Sequence, residues 1–93
     1  MVLWELDAPS LRPEMVQAVM RMPEYARKVT ADNKLVGRYH VVGKHGGAWI
    51  YDVNSNEELE RLLASAPVYN YAHYEVLALA EMETPTEILQ PPK

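Results

Sequence analysis

Residues 37 to 53, GRYHVVGKHGGAWIYDV, carry two short apolar runs parted at KHGG, and no other stretch limits the fold of this chain so strongly. Runs this short, broken by glycine and followed at once by polar residues, suit a β-hairpin rather than a helix. The strands are expected over residues 37 to 44 and 47 to 53, with Gly46 and Gly47 supplying the positive φ of a tight turn. An even loop around His45 and Gly46 would pair Gly43 with Ala48, Val42 with Trp49, Val41 with Ile50, His40 with Tyr51 and Tyr39 with Asp52. One face of the ribbon then carries Arg38, His40, Val42, Trp49, Tyr51 and Val53, and the other carries Tyr39, Val41, Ile50 and Asp52.

The flanking sequence supplies the remaining elements. VLWELD, residues 2 to 7, alternates as a first strand, with Val2, Trp4 and Leu6 on one side. Ser10 is placed to cap a helix that has Pro13 and Glu14 in its first turn and apolar residues at helical spacing from Met15 to Val29. Pro23 must kink or break that helix near Met22, and ADNK ends it. Ser55 and Glu58 form a capping box for a second helix bearing Leu59, Leu62, Leu63 and Ala66, which Pro67 closes. YEVLALAEM reads as a last strand, and a proline-rich tail over residues 81 to 93 is expected to be extended, with Ile88 and Leu89 available to a neighbour. The order β-α-β-β-α-β predicts an α+β, ferredoxin-like domain over residues 1 to 80, a four-stranded antiparallel sheet with two helices on one face. Two helices cover one side of a sheet whose strands are apolar on both, so a homodimer or larger homo-oligomer, sheet against sheet in the manner of a dimeric α/β barrel, is expected.

Composition narrows the function. Ninety-three residues with 48% apolar and 24% charged side chains make one globular domain. Nine basic residues, scattered among 13 acidic ones for a net charge of -4, argue against a nucleic-acid partner. There is no cysteine, which removes thiolate chemistry and cysteine-ligated zinc. The apolar runs are too short to span a membrane and the N-terminus lacks the layout of a signal peptide, so a cytoplasmic protein is expected. Three histidines without ligand spacing make no metal site, and no phosphate loop, nucleophile elbow or zincin motif is present.

His40 is the sharpest candidate for chemistry, because imidazole exchanges protons near neutrality, although a core histidine bonded to Tyr51 or to backbone would look the same. Glu24 follows Pro23 at the helix break, where a kink could turn its carboxylate inward and desolvation would raise its pKa toward that of a general base; an exposed helix-surface glutamate is the competing reading. Arg38, Trp49 and Tyr51 share the His40 face and have the composition of a pocket wall. Six tyrosines in a chain without phenylalanine, Tyr39, Tyr51, Tyr69 and Tyr71 among them, suit either a pocket for a polar ligand or a half-wet subunit interface. His45 and His73 read as turn and loop residues.

Residues 41 to 76, VVGKHGGAWIYDVNSNEELERLLASAPVYNYAHYEV, resemble the muconolactone isomerase family. The shared features are a strand ending at Gly43, a hairpin, Tyr51-Asp52-Val53, a helix capped by Ser55 with Glu58-Leu59 in its first turn, a loop with Pro67 and Tyr71, and a final strand with Glu75-Val76. A weaker match through EYA sets Glu24 on a family glutamate. Departures are Tyr39-His40-Val41 where the family has Trp-Arg-Ile, Asn70 for a loop proline, and EMETPTEI for a His-Pro tail. The resemblance implies small oligomeric proteins of aromatic catabolism that move a proton along an unsaturated lactone with no metal or organic cofactor. It gives His40 or Glu24 the part of base, a tyrosine hydroxyl that of donor to the enolate oxygen, and Tyr39, Tyr51, Trp49, Arg38, Tyr71 and Tyr69 the lining of the substrate site. A non-catalytic ligand-binding or oligomeric interaction module, or a pathway-specific cyclase or dehalogenase, would use the same scaffold.

Overall fold

Strand β1 (Val2–Leu6) runs through the middle of the sheet, with β3 (Gly46–Tyr51) on one side and β4 (Ala72–Val76) on the other, and β2 (Leu35–His40) completes the order β2-β3-β1-β4, every pair antiparallel. The computed structural model describes residues 1–7 and 12–82. Helices α1 (Pro13–Met20), α2 (Met22–Ala31) and α3 (Asn56–Ala64) supply the second layer. Val2, Trp4 and Leu6 point toward the helices, while Leu3 and Glu5 point away, as alternation requires.

Of the kink or break expected near Met22, the structure shows a break, and the helical stretch is two helices. The chain turns at Arg21, and Pro23 then falls in the first turn of α2, where its missing N–H breaks no bond. Arg12 occupies the cap position of α1 without a side-chain bond; Ser10, expected there, lies outside the described residues. Helix α2 ends in a Schellman turn: Asn33 takes φ 60°, the Lys34 N–H reaches the Val29 carbonyl and the Asn33 N–H reaches Thr30, both at 3.0 Å. Helix α3 starts as its sequence says. Ser55 accepts from the Glu58 N–H at 3.1 Å, and the Glu58 carboxylate accepts from the Asn54 N–H rather than from Ser55. That cap is worth about 1 kcal/mol, more than the half-exposed Lys34–Glu58 ion pair beside it contributes.

The core lies between helices and sheet. Ala18, Met22, Tyr25, Ala26 and Val29 pack on Leu35, Trp49, Ala66 and Val68, with Trp4, Leu6, Tyr51 and Leu62 at its margin. Leu35 reaches this side only because the β2–β3 register shifts between Leu35 and Gly37. One extra residue there reverses the alternation, so Leu35 is buried and Val36 is exposed. The last strand is shorter than its apolar sequence suggests: β4 stops at Val76, and Leu79 and Met82 beyond it are exposed. From residue 83 onward the expected extended tail lies outside the described residues.

The hairpin differs from its expected register. His40 stands opposite Gly47, not Tyr51, and Arg38 stands opposite Trp49, so the loop runs over Val41 to His45. The displacement is four residues along β3, an even number, so Arg38, His40, Trp49 and Tyr51 still share a face. The positive φ belongs to Gly43, at 86°, while Gly46 and Gly47 are strand residues buried beneath β1. A Cβ on Gly46 would lie 1.9 Å from the Trp4 carbonyl oxygen, which a backbone hydrogen-bonded in a sheet cannot relieve. Gly46→Ala is expected to destabilise the fold by about 3 kcal/mol, read as a lowered urea midpoint, whereas Gly43→Asn at the open loop should shift it by less than about 1 kcal/mol, Asn being tolerant of that φ.

Candidate functional site

One end of the helix-facing side of the sheet is left open. A cavity of about 480 Å³ is bounded there by Trp4 and Leu6 of β1, Val19 of α1, Arg38 and His40 of β2, His45 of the loop, and Gly47 and Trp49 of β3. Its floor exists because Gly47 has no side chain. An added Cβ would sit 2.8 Å from Trp49 Nε1 and 3.0 Å from Trp4 Nε1, so both indole N–H edges occupy the space above this glycine. The two rings meet edge to face with centroids 5.7 Å apart. Trp4 Nε1 is buried and has no hydrogen-bond partner among the described residues.

The charge of the wall is one-sided. Arg38 rests over the Trp49 ring, its Cζ 5.7 Å from the centroid, within cation–π range. Among the described residues it forms no ion pair and no acidic side chain lines the cavity. Arg38 and two imidazoles around an apolar, indole-lined floor make a surface complementary to a small anion, within a chain whose net charge is negative.

The other expected residues lie elsewhere. Glu24 is exposed on α2 and bound bidentately by Arg27 at 3.1 and 2.5 Å. Those hydrogen bonds, with the charge of Arg27 and Lys28, hold its carboxyl below the usual range, which corrects the expectation of a desolvated base with a raised pKa. The break at Arg21 leaves the start of α2 in solvent instead of turning the carboxylate inward. Tyr51 shares the face of His40 but belongs to the core: it bonds Tyr25 Oη at 3.1 Å, and Tyr25 donates to the Leu62 carbonyl at 2.7 Å, so Tyr51 is the donor of the first bond. Tyr69 is exposed, donates to Glu60 at 3.1 Å and stacks on Tyr74. Tyr71 borders a separate cavity of about 250 Å³ with Asp7, Arg12, Met15 and Asn70. Tyr39 reaches the margin of the main cavity but directs its own face to the outside of the sheet, 63% exposed.

Of the residues singled out from sequence, Arg38, Tyr39, His40 and Trp49 therefore meet at one cavity, and Glu24, Tyr51, Tyr69 and Tyr71 do not join them. Trp4, Leu6, Val19, His45 and Gly47 are additions. The alternation of β1 put Trp4 on an inward face, but only the β1–β3 register, with Trp4 opposite Gly47, brings it to His40.

An open α+β sheet with a layer of helices and one cationic, aromatic-lined cavity at its end defines a small-ligand domain. The model of the muconolactone delta-isomerase family matches residues 5–84, and the chain belongs to that family. It is 32% identical over 75 residues to a muconolactone delta-isomerase from Cupriavidus pinatubonensis, covering 81% of this chain and 79% of the relative. It is 34% identical over 55 residues to the Acinetobacter baylyi enzyme of the same name, covering 59% and 57%. A crystal structure of muconolactone isomerase superposes with a TM-score of 0.75 over the whole of both chains at 20% identity, a likeness of fold. Among the described residues no helix is long and apolar enough to cross a membrane, and no cluster of His, Asp or Glu has the arrangement of a metal site.

The core tyrosines are held neutral. Burial is the main cause that pushes Tyr51 up, reinforced by its bond to Tyr25, and burial takes Tyr74 up to about 12. Tyr25 is raised by burial against the opposing effect of its hydrogen bonds. Below about pH 10 these phenols are neutral in both folded and unfolded chains, so they add no pH dependence; above it only the unfolded chain ionises, and stability falls as pH rises. Absorbance at 295 nm should show these three tyrosines ionising together with alkaline unfolding, later than the exposed ones. Tyr25→Phe, which strips Tyr51 and Leu62 of a partner, should cost roughly 1–3 kcal/mol. Tyr74→Phe, whose hydroxyl has no partner among the described residues, should be neutral or stabilising.

Proposed function

We propose that this chain is a cofactor-independent isomerase that shifts a proton along a small unsaturated lactone carrying a carboxylate, in the cavity walled by Arg38, His40, Trp4 and Trp49. The observation that supports this best is the wall itself: a guanidinium without a protein carboxylate, an accessible imidazole and an apolar floor, in a member of a family named for a lactone isomerisation. Neutral His40 accepts the proton from the acidic carbon of the lactone, and the electron pair moves through the conjugated system to the carbonyl oxygen as a dienolate. Arg38 holds the carboxylate, and the imidazolium formed at His40 lies beside the charge that develops. The imidazolium returns the proton to the other end of the conjugated system, so the reaction is balanced without oxidant or metal. Glu24 has no part in this scheme, since its paired, exposed carboxylate lies off the cavity.

The reading extends to a cytoplasmic enzyme of aromatic catabolism, on the ferredoxin-like scaffold that the strand order suggests. It also extends to a homodimer or larger homo-oligomer built sheet against sheet. In support, the sheet face turned from the helices carries Leu3, Ala48 and Ile50, all half-buried, beside the exposed Tyr39, whereas Glu5, His73 and Glu75 mark its β4 side. A second copy would cover that apolar half.

With muconolactone as substrate, His40→Gln is expected to lower kcat by about 10²- to 10⁴-fold with little change in KM, while Glu24→Gln leaves both within about twofold because it touches neither substrate nor base. Retained turnover in a folded His40→Gln variant would remove His40 as the base; binding by the wild-type chain without any turnover would favour the non-catalytic module. Light scattering after size exclusion should return at least a dimer at micromolar concentration, and Tyr39→Glu should shift it toward monomer. A wild-type monomer would overturn the assembly.

A further inference from the structure

The loop brings a second imidazole to the cavity. His45 closes the five-residue connection between β2 and β3, and its carbonyl accepts the Leu6 N–H at 2.8 Å, which ties the end of the loop to the central strand. It lines the same cavity as Arg38 and His40. We infer that His45 is a substrate-binding residue that couples the affinity of this site to pH: as an imidazolium it joins Arg38 in receiving the carboxylate, leaving His40 free to move the proton. The inference rests on the lactone-isomerase reading of the cavity and adds to it the way the anion is admitted.

The surroundings of His45 give its charge nowhere else to go. Among the described residues the cavity it lines also has Arg38 and His40 from β2, Trp4 and Leu6 from β1, Trp49 from β3 and Val19 from α1. Its neighbour Lys44 is engaged by Glu5, 3.6 Å away and on the other side of the sheet. The third histidine, His73, is also on that outer side, 3.7 Å from Asp7. A protonated His45 therefore shares the cavity with one fixed cation and a second imidazole, with no carboxylate among the described residues of its wall to offset them. An anionic ligand relieves that repulsion, so its binding draws a proton from solvent, and by linkage acid tightens binding. Arg38 keeps its charge throughout and supplies the constant part of the attraction; protonation of imidazole supplies the part that responds to acid.

The test separates KM from kcat in the wild-type chain, His45→Gln and His45→Lys across about pH 5 to 8. Wild-type KM for muconolactone should fall as the solution is acidified. His45→Gln should raise KM about 5-fold at the acid end, the size of one exposed charged contact, and flatten its pH dependence while kcat stays comparable. His45→Lys, with a charge that does not titrate here, should keep KM low at every pH. A second measurement needs no variant: adding a saturated carboxylated lactone should shift the imidazole C–H resonances of His40 and His45 and leave His73 unmoved. Turnover by the wild-type chain with a flat KM, a His45→Gln variant with wild-type KM at all pH values, or unmoved His45 resonances on saturation would each overturn the inference while leaving the isomerase intact. Absence of both turnover and lactone binding in the wild type would overturn the isomerase reading and this one with it.

Discussion

Strand β1 lies so close to Gly46 that this position admits no Cβ, and at Gly47 the Trp49 and Trp4 indoles and the Tyr39 carbonyl fill the same space; the rest of the site depends on that close packing. The register sets Trp4 opposite Gly47 and brings its indole edge to face with that of Trp49. Trp49, buried on one side by α2 and the core, offers its remaining surface to Arg38. The guanidinium is thus held at the cavity wall by stacking rather than by a carboxylate, and stacking leaves its hydrogen-bond donors free for a ligand. A side chain at Gly46 would force β1 away from β3, and one at Gly47 would displace the two indoles that make the floor.

Two kinds of polar group result, and burial separates them. Tyr51 and Tyr25 form a chain of hydroxyls ending on the Leu62 carbonyl that joins β3, α2 and α3, and desolvation keeps both phenols protonated. Their function is to satisfy polar atoms inside a small core. His40, His45 and Arg38 lie at the open end of the same face, where solvent reaches them. Glu24 belongs to neither group, because Arg27 one turn along α2 satisfies its carboxylate in solvent.

The difference from the resembling family in the second strand has a structural counterweight. The family pattern has an arginine where this chain has His40, but Arg38, two residues earlier on the strand, points to the same side of the sheet and keeps a guanidinium on the wall. The substitution thus moves the fixed charge along the strand and puts an imidazole beside it. That combination sets a titratable group beside the guanidinium on the cavity wall.

Much of this was legible in the chain because it is local. The glycine-punctuated apolar runs, the Ser55 cap and the proline at the start of α2 each act over a few residues, and they determined the order of strands and helices. Alternation within β2 and β3 likewise determined that Arg38, His40, Trp49 and Tyr51 share a face, and an even error in register left that intact. What tertiary structure alone decided is what lies opposite what. The loop of five residues, the bulge that turns Leu35 inward, the end of β4 at Val76 and the descent of Trp4 onto Gly47 are settled by packing between segments distant in sequence. So is the fate of each candidate: Glu24 and Tyr51 have the residue types of a site, but a neighbouring arginine claims one and the core the other, while His45, read as an ordinary turn residue, closes a loop that ends at the cavity.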